Sequence, residues 1–254
     1  HRSYRRVFGD DGGIGLDGIT INPIGIRMNT KGWRMEMKRI FLCSLFLLLL
    51  AASNWANASD QNLLIPDDEI SNGEINESAL VLALAGEPSG ELTQAEVDGL
   101  LFMIEEEKLA GDVYSALDEM WDMRVFENIG RAELTHQAAV KRLLDRYSLP
   151  DPRMGEGEFA NETLQDLYND LLAKGSTSVS DALMAGAAIE EIDILDLEEY
   201  MAQTDKEDIL LVYANLLRGS ENHLRAFVNN LERQRVEYTP QYLSEEEYRS
   251  IMEA

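Results

Sequence analysis

Cysteine is almost missing from this sequence: the 254 residues hold one, Cys43. That scarcity excludes a disulfide framework, and no CxxC pair exists to pass electrons. Basic residues are also few, 22 Lys and Arg against 47 Asp and Glu, for a net charge of −25. Such a surface repels nucleic acid and anionic membranes and attracts cations. Histidine is rarer still, with three in all, His1, His136 and His223. No segment sustains a period-two alternation of apolar and polar residues, which leaves an all-α fold. The strongest apolar run, residues 40–52, falls short of the roughly 20 residues that a membrane-spanning helix needs.

That run has another reading. Lys38 and Arg39 precede it, and Ala56, Asn57 and Ala58 follow as a small-x-small cleavage site. Residues 35–58 therefore read as a secretory signal peptide, and the protein is expected to be exported, periplasmic or extracellular, with no membrane association after cleavage. Residues 1–34, Gly-rich and aperiodic, read as a spurious or extended segment ahead of a start at Met35 or Met37. Eight of the 22 basic and four of the 47 acidic residues lie in 1–58, leaving 14 against 43 and a net charge of −29. Cys43 departs with the signal, so a metal site in the mature chain must use oxygen and nitrogen donors. Residues 59–91 read as a flexible acidic leader, with an apolar stretch at 79–85 able to dock as one or two helical turns.

A folded domain is expected over residues 92–254. Thr93 with Glu96 forms a capping box, opening a helix over residues 93–120. Further helical patterns cover 126–147, 180–202 and 205–235, with a shorter one at 161–174. Pro150 and Pro152 stop the second. The first and second helices are joined by a few residues, as are the third and fourth, so each pair is antiparallel. About 30 residues (roughly 147–179) separate the pairs, long enough to cross from one end of a bundle to the other. Two hairpins and one long crossover between the second and third helices is the ferritin-like form of a four-helix bundle.

Polar residues interrupt the apolar stripes at matching heights. Glu107 sits between Ile104 and Gly111, with Tyr114 two turns along the same face. Glu133 and His136 are spaced i, i+3 on the stripe of Ile129, Val140 and Leu143, so both side chains project inward. On the third helix the most apolar register selects Glu190, with Asp193 at i+3; a rotation by one residue would select Glu191 instead. On the fourth, His223 follows Ser220 by three, and Glu221 lies one step off the face. Both histidines of the mature chain thus occupy equivalent positions. Carboxylates and imidazoles converging in a bundle core are costly to bury without a compensating cation. Glu107, Glu133, His136, Glu190, Asp193 and His223 are the candidate metal ligands, with Tyr114 hydrogen-bonding a ligating carboxylate, Glu107, from behind and Ser220 holding a water.

The segments EEEKLAGDVY, ELTHQAAVKRLLDRYSLPDP, IEEIDILDLEE, LLRGSENHLRAF and YTPQYLSEEEY together resemble the ferritin-like superfamily. More closely they resemble its branch catalogued as domain of unknown function 2202, found in bacteria and archaea. The resemblance implies a ferritin-like bundle without an established activity. From the wider superfamily it assigns Glu107, Glu133 and His136 to one metal and Glu190 and His223 to a second. Asp193 makes up the count where Ser220 breaks the second ExxH. Two iron ions are the implied cofactor, with manganese or zinc as the other metals such donors accept. The expected partners are metal ions with oxygen or peroxide, and a homo-oligomer is admitted. A redox metalloprotein, non-catalytic cation binding and a metal-free interaction module are the functions in competition.

Overall fold

The structure, a computed structural model, describes residues 20–21, 27–28, 70–71, 74–75, 77–86, 88 and 90–254. The signal segment and nearly all of residues 1–34 lie outside these. The chain divides into two units, His1–Ser59 and Asp60–Ala254. In the first, β1 (Thr20–Ile21) pairs antiparallel with β2 (Arg27–Met28). The second opens on a similar ladder, β3 (Ile70–Ser71) with β4 (Glu74–Ile75), and is otherwise helical among the described residues. Ladders two residues long carry no alternation that sequence could reveal.

Seven helices follow among the described residues: α1 (Glu77–Ala83), α2 (Gln94–Trp121), α3 (Arg124–Arg146), α4 (Glu162–Gly175), α5 (Val179–Met201), α6 (Glu207–Arg233) and α7 (Glu245–Glu253). Their ends follow local chemistry. Thr93 and Glu96 form the expected capping box on α2, which stops at Asp122 in the left-handed region, φ 50°. Asn161 caps α4 and Ser178 caps α5 through side-chain acceptors, satisfying amides that would otherwise go unpaired. Ser244 and Glu247 form a second capping box that opens α7, a helix that the hydrophobic pattern alone does not announce.

Each long helix packs on two others: α2 on α3 and α5, α6 on α5 and α3. Two residues join α2 to α3 and five join α5 to α6, and links so short make antiparallel neighbours. The long connection between α3 and α5 carries α4, which rests on α2 and α5. Part of the segment read as a flexible leader is docked. Ile75 and Leu80 are buried in the core, the Ile75 amide donates to Thr135 Oγ1 at 2.9 Å, and Arg146 Nη1 donates to the carbonyls of Leu84 and Gly86.

The core is two apolar clusters. One gathers Tyr114, Phe126, Leu183 and Phe227; the other gathers Leu100, Ile104, Val140, Leu143 and Leu216. Between them, at mid-height on all four long helices, lies a buried polar band of Glu107, Glu133, His136, Glu190, Asp193, Ser220 and His223. It is this band that the four helices position.

Candidate metal centre

Helix spacing brings the band together. On α3, Glu133 and His136 share the face turned to the core, and His136 Nδ1 lies 3.0 Å from Glu133 Oε2 and 3.1 Å from Glu107 Oε2 of α2. On α6, His223 Nδ1 lies 3.0 Å from Glu133 Oε1 and 3.5 Å from Glu190 Oε2 of α5. The two imidazoles stack, centroids 5.4 Å apart and planes 21° from parallel. Two groups result, Glu107–Glu133–His136 and Glu133–Glu190–His223, each offering three donor atoms within 4.8 Å of one another. Glu133 belongs to both and turns one oxygen to each.

Hydrogen bonding leaves this arrangement incomplete. Glu107 Oε1, Glu133 Oε1 and both ring nitrogens of His223 have no hydrogen-bond partner although fully enclosed. The 3.0 Å approach of His223 to Glu133 is thus a close contact without the alignment of a hydrogen bond. Buried polar atoms in that condition are rare. Donor atoms gathered within 4.8 Å, several of them left unpaired, could hold a cation.

Residues 96–254 match the family model described as "Uncharacterized protein domain (DUF2202)". The chain belongs to this family. A relative, the uncharacterised protein MJ0754 of Methanocaldococcus jannaschii, is 48% identical over 167 residues, which is 65% of this chain and 90% of that protein. The crystal structure of hypothetical protein MJ0754 from Methanococcus jannaschii aligns with a TM-score of 0.65 at 47% identity, covering 66% of this chain and 98% of that one.

Burial sets the electrostatics of this DUF2202 site. It pushes the Glu107 carboxyl well above the usual carboxylate range, and the nearby Asp193 adds to the rise. Burial and Glu190 push Asp193 up to about 8, and Glu190 itself is raised by burial. Glu133 goes the other way. Burial would raise it, but the His136 and His223 imidazoliums on either side hold it far below. Burial alone would lower both imidazoles; instead Glu107 and Glu133 hold His136 well above its usual value, and Glu133 and Glu190 lift His223 to about 9. Burial thus favours the neutral form of Glu107, Glu190 and Asp193, while Glu133 favours charge on the two imidazoles that flank it.

The structure separates the alternatives that the helix registers left open. Glu190 enters the cluster. Glu191 points away, accepting from the Tyr238 hydroxyl at 2.8 Å and from the amides of Gln241, Tyr242 and Leu243. Asp193 is buried beside both groups without joining either; its carboxyl takes the Ser220 hydroxyl, which also reaches the Leu216 carbonyl at 3.0 Å. The Ser220 hydroxyl thus donates within the protein, to Asp193 and the Leu216 carbonyl. Tyr114 was expected behind Glu107 but donates to Glu190. Seven residues along α2 is a displacement of about 10 Å, which carries the phenol away from Glu107 and across to α5. Two further acids escaped the sequence reading. Glu105 accepts from the Ala160 amide at 2.6 Å, and Glu106 pairs with Asp196, itself raised to about 6 by burial. All three glutamates of the run 105–107 are buried, at 4%, 3% and 2% exposure. A run of three predicts one inward residue only if the helix has one buried face; α2 is covered on several sides.

Proposed function

We propose that this protein is an exported ferritin-like four-helix metal protein whose centre holds two divalent cations, iron first, with manganese and zinc as the metals the same donors accept. The observation that carries this reading is Glu133, one carboxylate whose two oxygens face two separate groups of donors. Imidazole nitrogen and carboxylate oxygen suit all three metals. Glu107 and His136 would complete one seat, Glu190 and His223 the other. Tyr114 holds Glu190 in place, and a fixed ligand loses less freedom when the ion arrives. Ser220 stands where a symmetric pattern would put a glutamate on α6, and it engages Asp193 of the neighbouring α5. Bound iron would supply oxidase, peroxidase or ferroxidase-type chemistry with oxygen or peroxide; the buried shell excludes bulk water from it. Export rests on the signal-like residues 35–58.

A second reading, cation binding without turnover, draws on the same Ser220, which leaves the two seats unlike. One experiment addresses both. Anaerobic Fe(II) titration of metal-free protein is expected to bind two ions per chain, and admission of oxygen to develop a visible absorption band. Two ions with no spectral change supports binding alone; no iron bound, or iron retained undiminished by Glu133→Ala, would falsify the metal centre.

A further inference from the structure

The donors are sealed: His136 is 0% exposed, and Glu107 and Glu133 2% each. A cation needs a way in. Between α2 and α3 lies a groove of about 700 Å³, within the range of small-ligand cavities. Its floor includes Gly111 and Gly130, one on each helix. A Cβ on Gly111 would lie 3.5 Å from Glu133 Cβ and 3.2 Å from Gln137 Nε2. Gly111 therefore stands against the base of the shared ligand's side chain, and it leaves the space that Gln137 fills. Gly130 has no such packing reason. The nearest atom to a Cβ there is Tyr114 Cβ at 3.6 Å, an ordinary contact, so alanine would fit and would favour the helix. What glycine adds at 130 is depth.

Gln137 closes the inner end. It is buried and directly follows the ligand candidate His136. Its Nε2 reaches the Glu107 carbonyl at 3.4 Å, and its Oε1 accepts from Arg153 Nη1 at 3.0 Å. Arg153 is in turn held by Asp151 at 2.7 Å, about a quarter exposed. The plug thus hangs between a weak inner bond and a surface loop. Charge in the groove leans toward cations. Lys108 is bound to Asp112 and Arg153 to Asp151; Arg131 also lines the walls, against Asp118, Glu127 and Glu156, so acids exceed bases by two, five to three. Carboxylates lining a cleft raise the local concentration of cations.

We propose that this groove is the port through which a hydrated divalent cation reaches the buried centre, with Gln137 as its gate. The inference rests on the metal reading above, naming the route to that same site. Its test is stopped-flow binding of Co(II) to metal-free full-length protein, followed by visible absorption, with stoichiometry measured on the same samples. Gln137→Ala is expected to speed association at least threefold, and Gly130→Leu, whose side chain would fill the groove, to slow it at least tenfold, both at two ions per chain. Asp196→Asn probes the Glu106–Asp196 pair, which lies outside the groove lining. Wild-type rates in both groove variants, or a tenfold slowing by Asp196→Asn alone, overturn the port while leaving the centre standing. A wild-type protein that takes up no Co(II) overturns both together, and the two failures are told apart by stoichiometry.

Discussion

Glu191 and Glu190 are neighbours with opposite duties. Glu191 holds a hydroxyl and three consecutive backbone amides of the C-terminal segment, and removing a buried acceptor exposes its donors to the full cost of desolvation. Glu191→Ala is expected to destabilise by roughly 2–4 kcal/mol in chemical denaturation while leaving two cations per chain bound. Glu190→Ala should do the reverse, losing one cation with a smaller stability change. Undiminished stoichiometry in Glu190→Ala would remove it from the centre. Residues of this kind were partly legible. Glu107, Glu133, His136 and His223 interrupt clean apolar stripes, and the structure gathers all four. Glu105 and Glu106 were not legible, because the crossover loop and α5 bury faces of α2 that a one-stripe helix would leave wet. The partner of Tyr114 was hidden for another reason: a stripe gives height and face but not which neighbouring helix a long side chain reaches.

Helices α5 and α6 approach closely at Gly186. A Cβ there would lie 2.5 Å from Phe227 Cε1 and 2.6 Å from Cζ, inside any tolerable contact, and the ring is wedged against Tyr114 and Phe126. Gly186→Ala is expected to cost about 1–3 kcal/mol as overpacking, measured as a fall in melting temperature; a variant as stable as wild type would mean the ring has room to yield. The elements themselves were mostly readable. The four long helices and α4 lie within two residues of the ranges their periodicity and stop signals imply, and Thr93 and Glu96 mark the start of α2 as read. Helix α7 was missed although Ser244 and Glu247 spell a capping box, since nine residues give too few turns for an apolar stripe. The apolar stretch at 79–85 pointed to the docked turns of α1, where Leu80 is buried, whereas Ile75 of β4 stands alone among polar neighbours and gave no signal.

At the scale of the molecule, the proposed metal binding would be linked to acidity. Asp193 rises from 3.8 to about 8 and His223 from 6.5 to about 9. Groups raised in the folded state stabilise it fully below their unfolded values and lose that contribution as pH climbs through the folded ones. Glu133, lowered, contributes above its unfolded value of 4.5 and loses this only in acid. Metal-free protein should therefore lose stability from pH 6 to pH 9, with a fall in melting temperature of roughly 5 °C or more. Added Mn(II) or Fe(II) should restore it, and more so at pH 9, because the ion displaces protons. A melting temperature flat across that range, with or without metal, would contradict the linkage. The shared carboxylate also has a bearing on how the chain comes together. Glu107, Glu133 and His136 all lie on the α2–α3 hairpin, so one seat needs only a local piece of chain. The other joins Glu133 to Glu190 and His223 on the α5–α6 hairpin and exists only once the halves have met. With the proposed ions bound, loading order would be a clock for assembly: the first ion would mark a hairpin and the second its docking, and loss of the second would precede separation of the halves.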